Sequence, residues 1–127
     1  MNMQFDVIKV SPVSADKIDY TTLIFKVTLP QKVDIDNSKD LWVYLKTLAS
    51  GGAQKMFIDL RQVTYIDSSG IGVLINTAKL LRKQKGDIVM ANVSDDIKSI
   101  FKVIRLEEFI TIFNTEVEAV KSFSYIR

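Results

Sequence analysis

The stretch Met56-Phe57-Ile58-Asp59-Leu60, followed by Tyr65-Ile66-Asp67-Ser68-Ser69-Gly70-Ile71-Gly72, decides how the chain folds. Its first five residues form an apolar run with the length of a buried strand. Beyond Gly70, Ile71, Leu74, Ile75 and Ala78 recur at the i, i+3, i+4, i+7 spacing of one helical face, and Leu81 continues the stripe. Arg82, Lys83 and Lys85 fall in the last turn, where cations suit the negative end of the helix dipole, and Gly86 is expected to end the helix in a left-handed conformation. The helix start therefore lies between Asp67 and Gly70. Asp67, Ser68 and Ser69 are all residue types that accept from backbone N–H groups with no partner inside the helix. A buried strand thus delivers two hydroxyls to a helix start. By spacing alone an ordinary cap is the commoner explanation; a serine exposed for chemical modification is the alternative.

Outward from this centre, the chain alternates strands and helices. Phe5, Val7, Ile8 and Val10 mark a short edge strand, closed by the polar turn Ser11–Asp16. Tyr20–Leu29 is a longer strand, antiparallel to the first, with Leu23, Phe25, Val27 and Leu29 on one face and Pro30 ending it. After the loop Gln31–Asp36, Asn37 or Ser38 caps a helix carrying Leu41, Trp42, Leu45 and Leu48, which Gly51-Gly52 terminates. Asp87–Asn92 has the continuous apolar character of a strand covered on both faces. Ser94 caps a third helix with Asp95 and Asp96 in its first turn and Ile97, Ile100, Phe101 and Ile104 at helical spacing. Phe109–Phe113 forms a last short strand. Thr115-Glu116-Val117-Glu118 has the pattern of a reciprocal cap for a final helix running toward Phe123.

The order is β-β-α-β-α-β-α-(β)-α, an α/β protein with four to five strands in a largely parallel or mixed sheet and about four helices. At 127 residues, 47% hydrophobic and 25% charged, residues 1–127 suit one domain with a real core. A formal net charge of +2 and a basic run, Lys79–Lys85, interrupted by Leu80, Leu81 and Gln84 do not suggest a nucleic-acid surface. Histidine and cysteine are absent, which removes disulfides, thiolate zinc sites and the usual general base. Gly70-Ile71-Gly72 lacks the Lys-Ser or Lys-Thr of a phosphate-binding loop. The acidic pairs Asp95-Asp96, Glu107-Glu108 and Glu116/Glu118 sit at helix starts or in a loop, where dipole and solvation account for them. No catalytic role, cofactor or metal is expected. No run is long and apolar enough for a leader or a membrane span, so a soluble, cytoplasmic protein is expected.

Ile66-Asp67-Ser68-Ser69-Gly70-Ile71-Gly72, with Asp59-Leu60 in the strand before it and the helix after it, resembles the signature of STAS domains, particularly the bacterial anti-sigma factor antagonists. The likeness extends from roughly the second strand to the last helix. It implies that the serine directly after the aspartate is phosphorylated by a partner kinase, here Ser68, with Ser69 the less favoured neighbour. It further implies that the unmodified protein captures an anti-sigma factor with serine-kinase activity and frees a sigma factor. Phosphorylation breaks that complex until a serine phosphatase reverses it. Asp34, Asp67, Ser68, Ser69, Gly70, Ile71 and Gly72 would form the contact surface, with Ile71 or Val73 as apolar contacts.

One departure concerns the loop before the first helix. Relatives usually carry a Gly-Glu-Leu-Asp stretch where this chain has Gln31-Lys32-Val33-Asp34, so only Asp34 matches by type and Lys32 replaces an acid. This gives weight to a second expectation, a non-switching STAS scaffold subunit of a transporter or sensory complex. A nucleotide-binding module is the weakest of the three, since no phosphate-cradling loop accompanies the helix start.

Overall fold

The computed structural model describes residues 3–9 and 23–124. Among these residues seven strands run in chain order as β1 (Gln4–Lys9), β2 (Leu23–Thr28), β3 (Lys32–Val33), β4 (Lys55–Asp59), β5 (Tyr65–Ile66), β6 (Asp87–Ala91) and β7 (Thr111–Phe113). Five of them form one sheet in the order β1-β2-β4-β6-β7, in which the β1–β2 pair is antiparallel and the other three are parallel. Helices α1 (Ser38–Ser50), α2 (Ser68–Lys83), α3 (Asp95–Val103) and α4 (Glu116–Ser124) connect or follow the strands, as the alternating pattern required. Val10, the Ser11–Asp16 turn and the start of the strand expected from Tyr20 lie outside the described residues.

Strand alternation divides the core in two. Val27, Leu29, Met56, Ile58, Ile88 and Met90 face Leu41 and Leu45 of α1, Leu74, Ala78 and Leu81 of α2, and Ile97 and Phe101 of α3. The opposite face sets Ile24, Phe57, Val89 and Ala91 against Ala119 and Phe123 of α4. At the end of β4, fully buried Asp59 accepts from the Arg61 N–H (2.9 Å) and Asn92 Nδ2 (3.1 Å) and lies 3.8 Å from Lys26 Nζ. Lys26 in turn meets Glu116 Oε1 at 2.6 Å, tying the first turn of α4 to the sheet. The reciprocal cap forms: Thr115 N–H donates to Glu118 Oε1 and Glu118 N–H to Thr115 Oγ1, both at 3.2 Å.

Four local expectations are corrected. Asn37 occupies the cap position of α1, but its side chain turns into the preceding loop, accepting from Asp34 N–H (2.9 Å) and donating to Lys32 O (2.7 Å). The left-handed residue after α2 is Lys85 (φ 64°), not Gly86. Lys85 N–H reaches Arg82 O and Gly86 N–H reaches Leu81 O, so the closing motif puts its positive φ one residue earlier. Gly86 is required for a different reason, since a Cβ there would stand 2.1 Å from Gln54 O. On α3, Ile97 and Phe101 are buried as predicted, but Ile100 and Ile104 are exposed. The helix is only nine residues long, and its stripe is wider than the surface it covers.

The fourth correction positions the site. The strand that delivers the hydroxyls to α2 is not β4: β4 ends at Asp59, and β5 of a separate two-residue parallel ribbon, β3 paired with β5, leads through Asp67 into α2. Val33 and Ile66 point into the core, while Lys32 and Tyr65, opposite each other, are exposed.

Candidate functional site

The first turn of α2 rests directly on this ribbon. A Cβ on Gly70 would meet Val33 Cγ1 at 2.6 Å and Val33 O and Ile66 Cγ1 at 3.0 Å, so only glycine permits the helix to approach so closely. Gly70 is buried, and its place in the predicted contact surface is therefore corrected: it seats the helix and is not available to a partner. Gly72 is partly exposed, and a Cβ added there would meet nothing within 4 Å.

Asp67 is the N-cap of α2, with extended backbone (φ −109°, ψ −175°). Its Oδ1 accepts from the N–H groups of Ser69 (2.9 Å) and Gly70 (3.3 Å) and from the Ser69 hydroxyl. Its Oδ2 accepts from the Ile35 N–H (3.2 Å), and its own N–H donates to Val33 O (3.1 Å). One carboxylate thus caps the helix and fastens the loop before α1 to it. The Ser69 hydroxyl, followed by the N–H groups of Gly70, Ser69 and Ile35, holds this carboxyl below the ordinary aspartate range against the opposing effect of desolvation.

The two serines are consequently different. Ser69 is half-buried and its hydroxyl is engaged by Asp67. Ser68, at the first helical position, is exposed, and among the described residues its hydroxyl has no hydrogen-bond partner. Ile71 is partly buried and packs on the core, and Val73 is 8% exposed. Of the two expected apolar contacts beside the serine, Val73 is therefore corrected, because it turns toward the sheet, while Ile71 keeps part of its surface exposed.

Sequence reasoning missed the apolar residues that do flank the site. Ile35 (73% exposed) and Tyr65 (50% exposed) border a shallow depression of about 350 Å³ that also includes Lys32, Asp34 and Asp67. The only available signal was the in-out alternation of Tyr65-Ile66, too short to separate from chance. Asp34 lies in this depression, with Oδ1 accepting from the Asp36 N–H (3.0 Å) and its carbonyl from the N–H groups of Asn37 and Ser38. Among the described residues no group of three or more acidic, histidine or cysteine side chains could hold a metal, and no helix is long and apolar enough to cross a membrane.

A family model for the STAS domain matches residues 14–119. The anti-sigma-B factor antagonist of Bacillus subtilis (strain 168) is 32% identical over 87 residues, which span 68% of this chain and 79% of that protein. Among solved structures, an anti-sigma factor antagonist from Mycobacterium paratuberculosis superposes with a TM-score of 0.74 at 16% identity, covering 96% of this chain and 94% of that one. The Bacillus anti-sigma factor antagonist SpoIIAA in its unphosphorylated form gives a TM-score of 0.66 at 17% identity, over 97% of this chain and 100% of that one. Its phosphorylated form gives 0.63 at 18% identity, over 94% and 98%. These structures share the sheet and helix arrangement described above, and the family match covers both the ribbon and the helix start. The chain belongs to the STAS-domain family, among the anti-sigma factor antagonists.

Proposed function

We propose that this protein is a phosphorylation-controlled antagonist working in the cytoplasm. Unphosphorylated, it docks on an anti-sigma factor with serine-kinase activity and so frees a sigma factor; phosphate on Ser68 ends the docking, and a serine phosphatase restores it. The observation that carries this reading is the division of labour between two adjacent hydroxyls, Ser68 exposed and unengaged, Ser69 held by Asp67. A kinase needs an acceptor oxygen that can enter its active site without dismantling the substrate, and Ser68 meets that requirement. SpoIIAA, a fold neighbour, exists in unphosphorylated and phosphorylated forms, which lends further support.

The switch works by charge. A phosphoserine adds roughly −1.5 to −2 charges and three strong acceptor oxygens. In the free protein the phosphate remains solvated outside the cap, because Asp67 already takes the Ser69 and Gly70 N–H groups, while the positive end of the 16-residue helix tolerates the added anion. Inside a docked interface the same phosphate must be desolvated against whatever faces it. The fold is unchanged and the partner leaves.

The test is peptide-level mass spectrometry of the protein incubated with ATP and purified candidate kinases from its host, then binding of Ser68→Ala and Ser68→Asp to the kinase that reacts. Phosphate on Ser68, with binding kept by Ser68→Ala and lost by Ser68→Asp, supports the switch. Equal binding by both variants, without phosphate on either serine, would instead indicate a non-switching scaffold.

A further inference from the structure

We propose that Ile35 is an apolar anchor for the kinase that acts on Ser68, seating in an apolar socket of that partner, and that Asn37 is the positioning residue that presents it. This rests on the reading of Ser68 given above and adds where the partner grips.

In the loop before α1, every backbone N–H from Asp34 to Ser38 has an acceptor inside the protein. That of Asp34 donates to Asn37 Oδ1 (2.9 Å), that of Ile35 to Asp67 Oδ2 (3.2 Å) and that of Asp36 to Asp34 Oδ1 (3.0 Å). Those of Asn37 and Ser38 donate to Asp34 O, at 3.2 and 2.8 Å. Water could serve exposed N–H groups as well, so this saturation fixes the loop beyond what solvation demands. Asn37 Nδ2 also donates to Lys32 O (2.7 Å), and one amide side chain therefore spans the loop from β3 to the start of α1. Asp67 fastens the same loop to the first turn of α2. A backbone held at both ends and along its length has little freedom left to lose on docking.

The loop holds an isoleucine out in water. Ile35 is 73% exposed, and half-exposed Tyr65 borders the same depression. Charges of both signs line that depression, from Lys32, Asp34 and Asp67, so its rim is distinguished by the apolar pair and not by the sign of its charge. A preorganised apolar side chain gains contact area on burial at little ordering cost, which is what an interface anchor requires. Its neighbour names the occupant. Ile35 N–H is bonded to the carboxylate of Asp67, the residue immediately before Ser68. An interface of standard size covers roughly 800 Å² on each partner, so a kinase seated over the Ser68 hydroxyl extends across Ile35. An apolar socket there gains the isoleucine, whereas a polar surface would lose its water without a bond in return. Asn37 acts through the loop, by setting where Ile35 stands.

The experiment uses the full chain and the kinase shown to phosphorylate Ser68, with affinities measured by surface plasmon resonance for Ile35→Leu, Ile35→Ala, Asn37→Ala, the double variant Ile35→Ala/Asn37→Ala and Ser68→Asp. Ile35→Leu is expected to stay within about threefold of the unaltered protein and Ile35→Ala to weaken binding about thirtyfold. The Ile35 side chain is exposed, so its variants should keep the melting temperature, separating lost recognition from lost fold. Asn37→Ala should weaken binding about tenfold on its own and less than about twofold in the Ile35→Ala background, because nothing is then left to present. A general loosening of the fold would act equally in both backgrounds, and that result would overturn the role of Asn37. Unaltered affinity in Ile35→Ala, with Ser68→Asp still inactive, would remove the anchor and leave the switch standing. If Ser68→Asp binds as well as the unaltered protein, the switch itself fails, and the anchor falls with it.

Discussion

The starts of α2 and α3 use the same residue types to opposite ends. At α3, Ser94 is the cap: its hydroxyl accepts from the Ile97 N–H (3.3 Å), and Asp95 and Asp96 follow in the first turn, neutralising the positive end of the dipole. At α2, an aspartate takes the capping role, and the first turn after it holds two serines, a glycine and no acid. Because Asp67 satisfies the N–H groups that a serine cap would have served, Ser68 is released from structural work. This is what frees the helix start to serve as the modification site proposed above.

The largest effect in this comparison should come from the residue that seats α2 on the ribbon. Gly70→Ala places a Cβ 2.6 Å from Val33 Cγ1 and 3.0 Å from Val33 O, and the second contact is backbone that cannot rotate away. Overpacking of this kind costs about 1–3 kcal/mol, and the upper half of that range is expected here in chemical denaturation. Partner binding should weaken as well, because α2 and the ribbon would separate where the depression lies. Next in size is Ser94→Ala, which removes the hydroxyl cap of α3 and should cost about 1 kcal/mol in the same assay while leaving partner binding unchanged.

These two starts also mark what the sequence disclosed and what it withheld. Helical periodicity, the Ser94 cap and the Thr115/Glu118 reciprocal cap were legible because they depend on residues within one turn of each other. The alternation of elements likewise disclosed a largely parallel or mixed sheet of four to five strands, though not the order of its strands. The β3–β5 ribbon was invisible: two residues carry no periodicity, and Lys32 pairs with Tyr65, 33 positions away. With the ribbon went Ile35 and Tyr65, whose exposure depends on that pairing. Asn37 misled because a side chain able to cap can equally stabilise the loop before the helix, and here the loop takes it. Sequence alone left Ser68 and Ser69 to be separated by resemblance, whereas the Asp67 side chain separates them by geometry.

Ser69→Ala sharpens the contrast further. The Ser69 hydroxyl is the largest influence holding the Asp67 carboxyl below the ordinary aspartate value of 3.8, so its loss should raise that carboxyl toward the ordinary value. A carboxyl lowered in the folded protein contributes stability that is present above its unfolded value and is lost as pH falls through its folded value. The unaltered protein should therefore keep the α2 cap to lower pH than Ser69→Ala. Carbon-detected NMR titration of the Asp67 carboxyl reads the shift directly. A midpoint identical in both proteins would mean that the hydroxyl does not support the cap.

The smallest change in stability belongs to Ser68→Ala, and its smallness is the sharpest form of the comparison. Were Ser68 a cap like Ser94, removing its hydroxyl would cost about 1 kcal/mol. Its oxygen is exposed and unpartnered among the described residues. Denaturation should thus place Ser68→Ala within about 0.5 kcal/mol of the unaltered protein, on either side. A loss matching that of Ser94→Ala would return Ser68 to the caps. A neutral result means that the fold makes no demand on this hydroxyl, leaving a kinase free to modify it without unfolding its substrate.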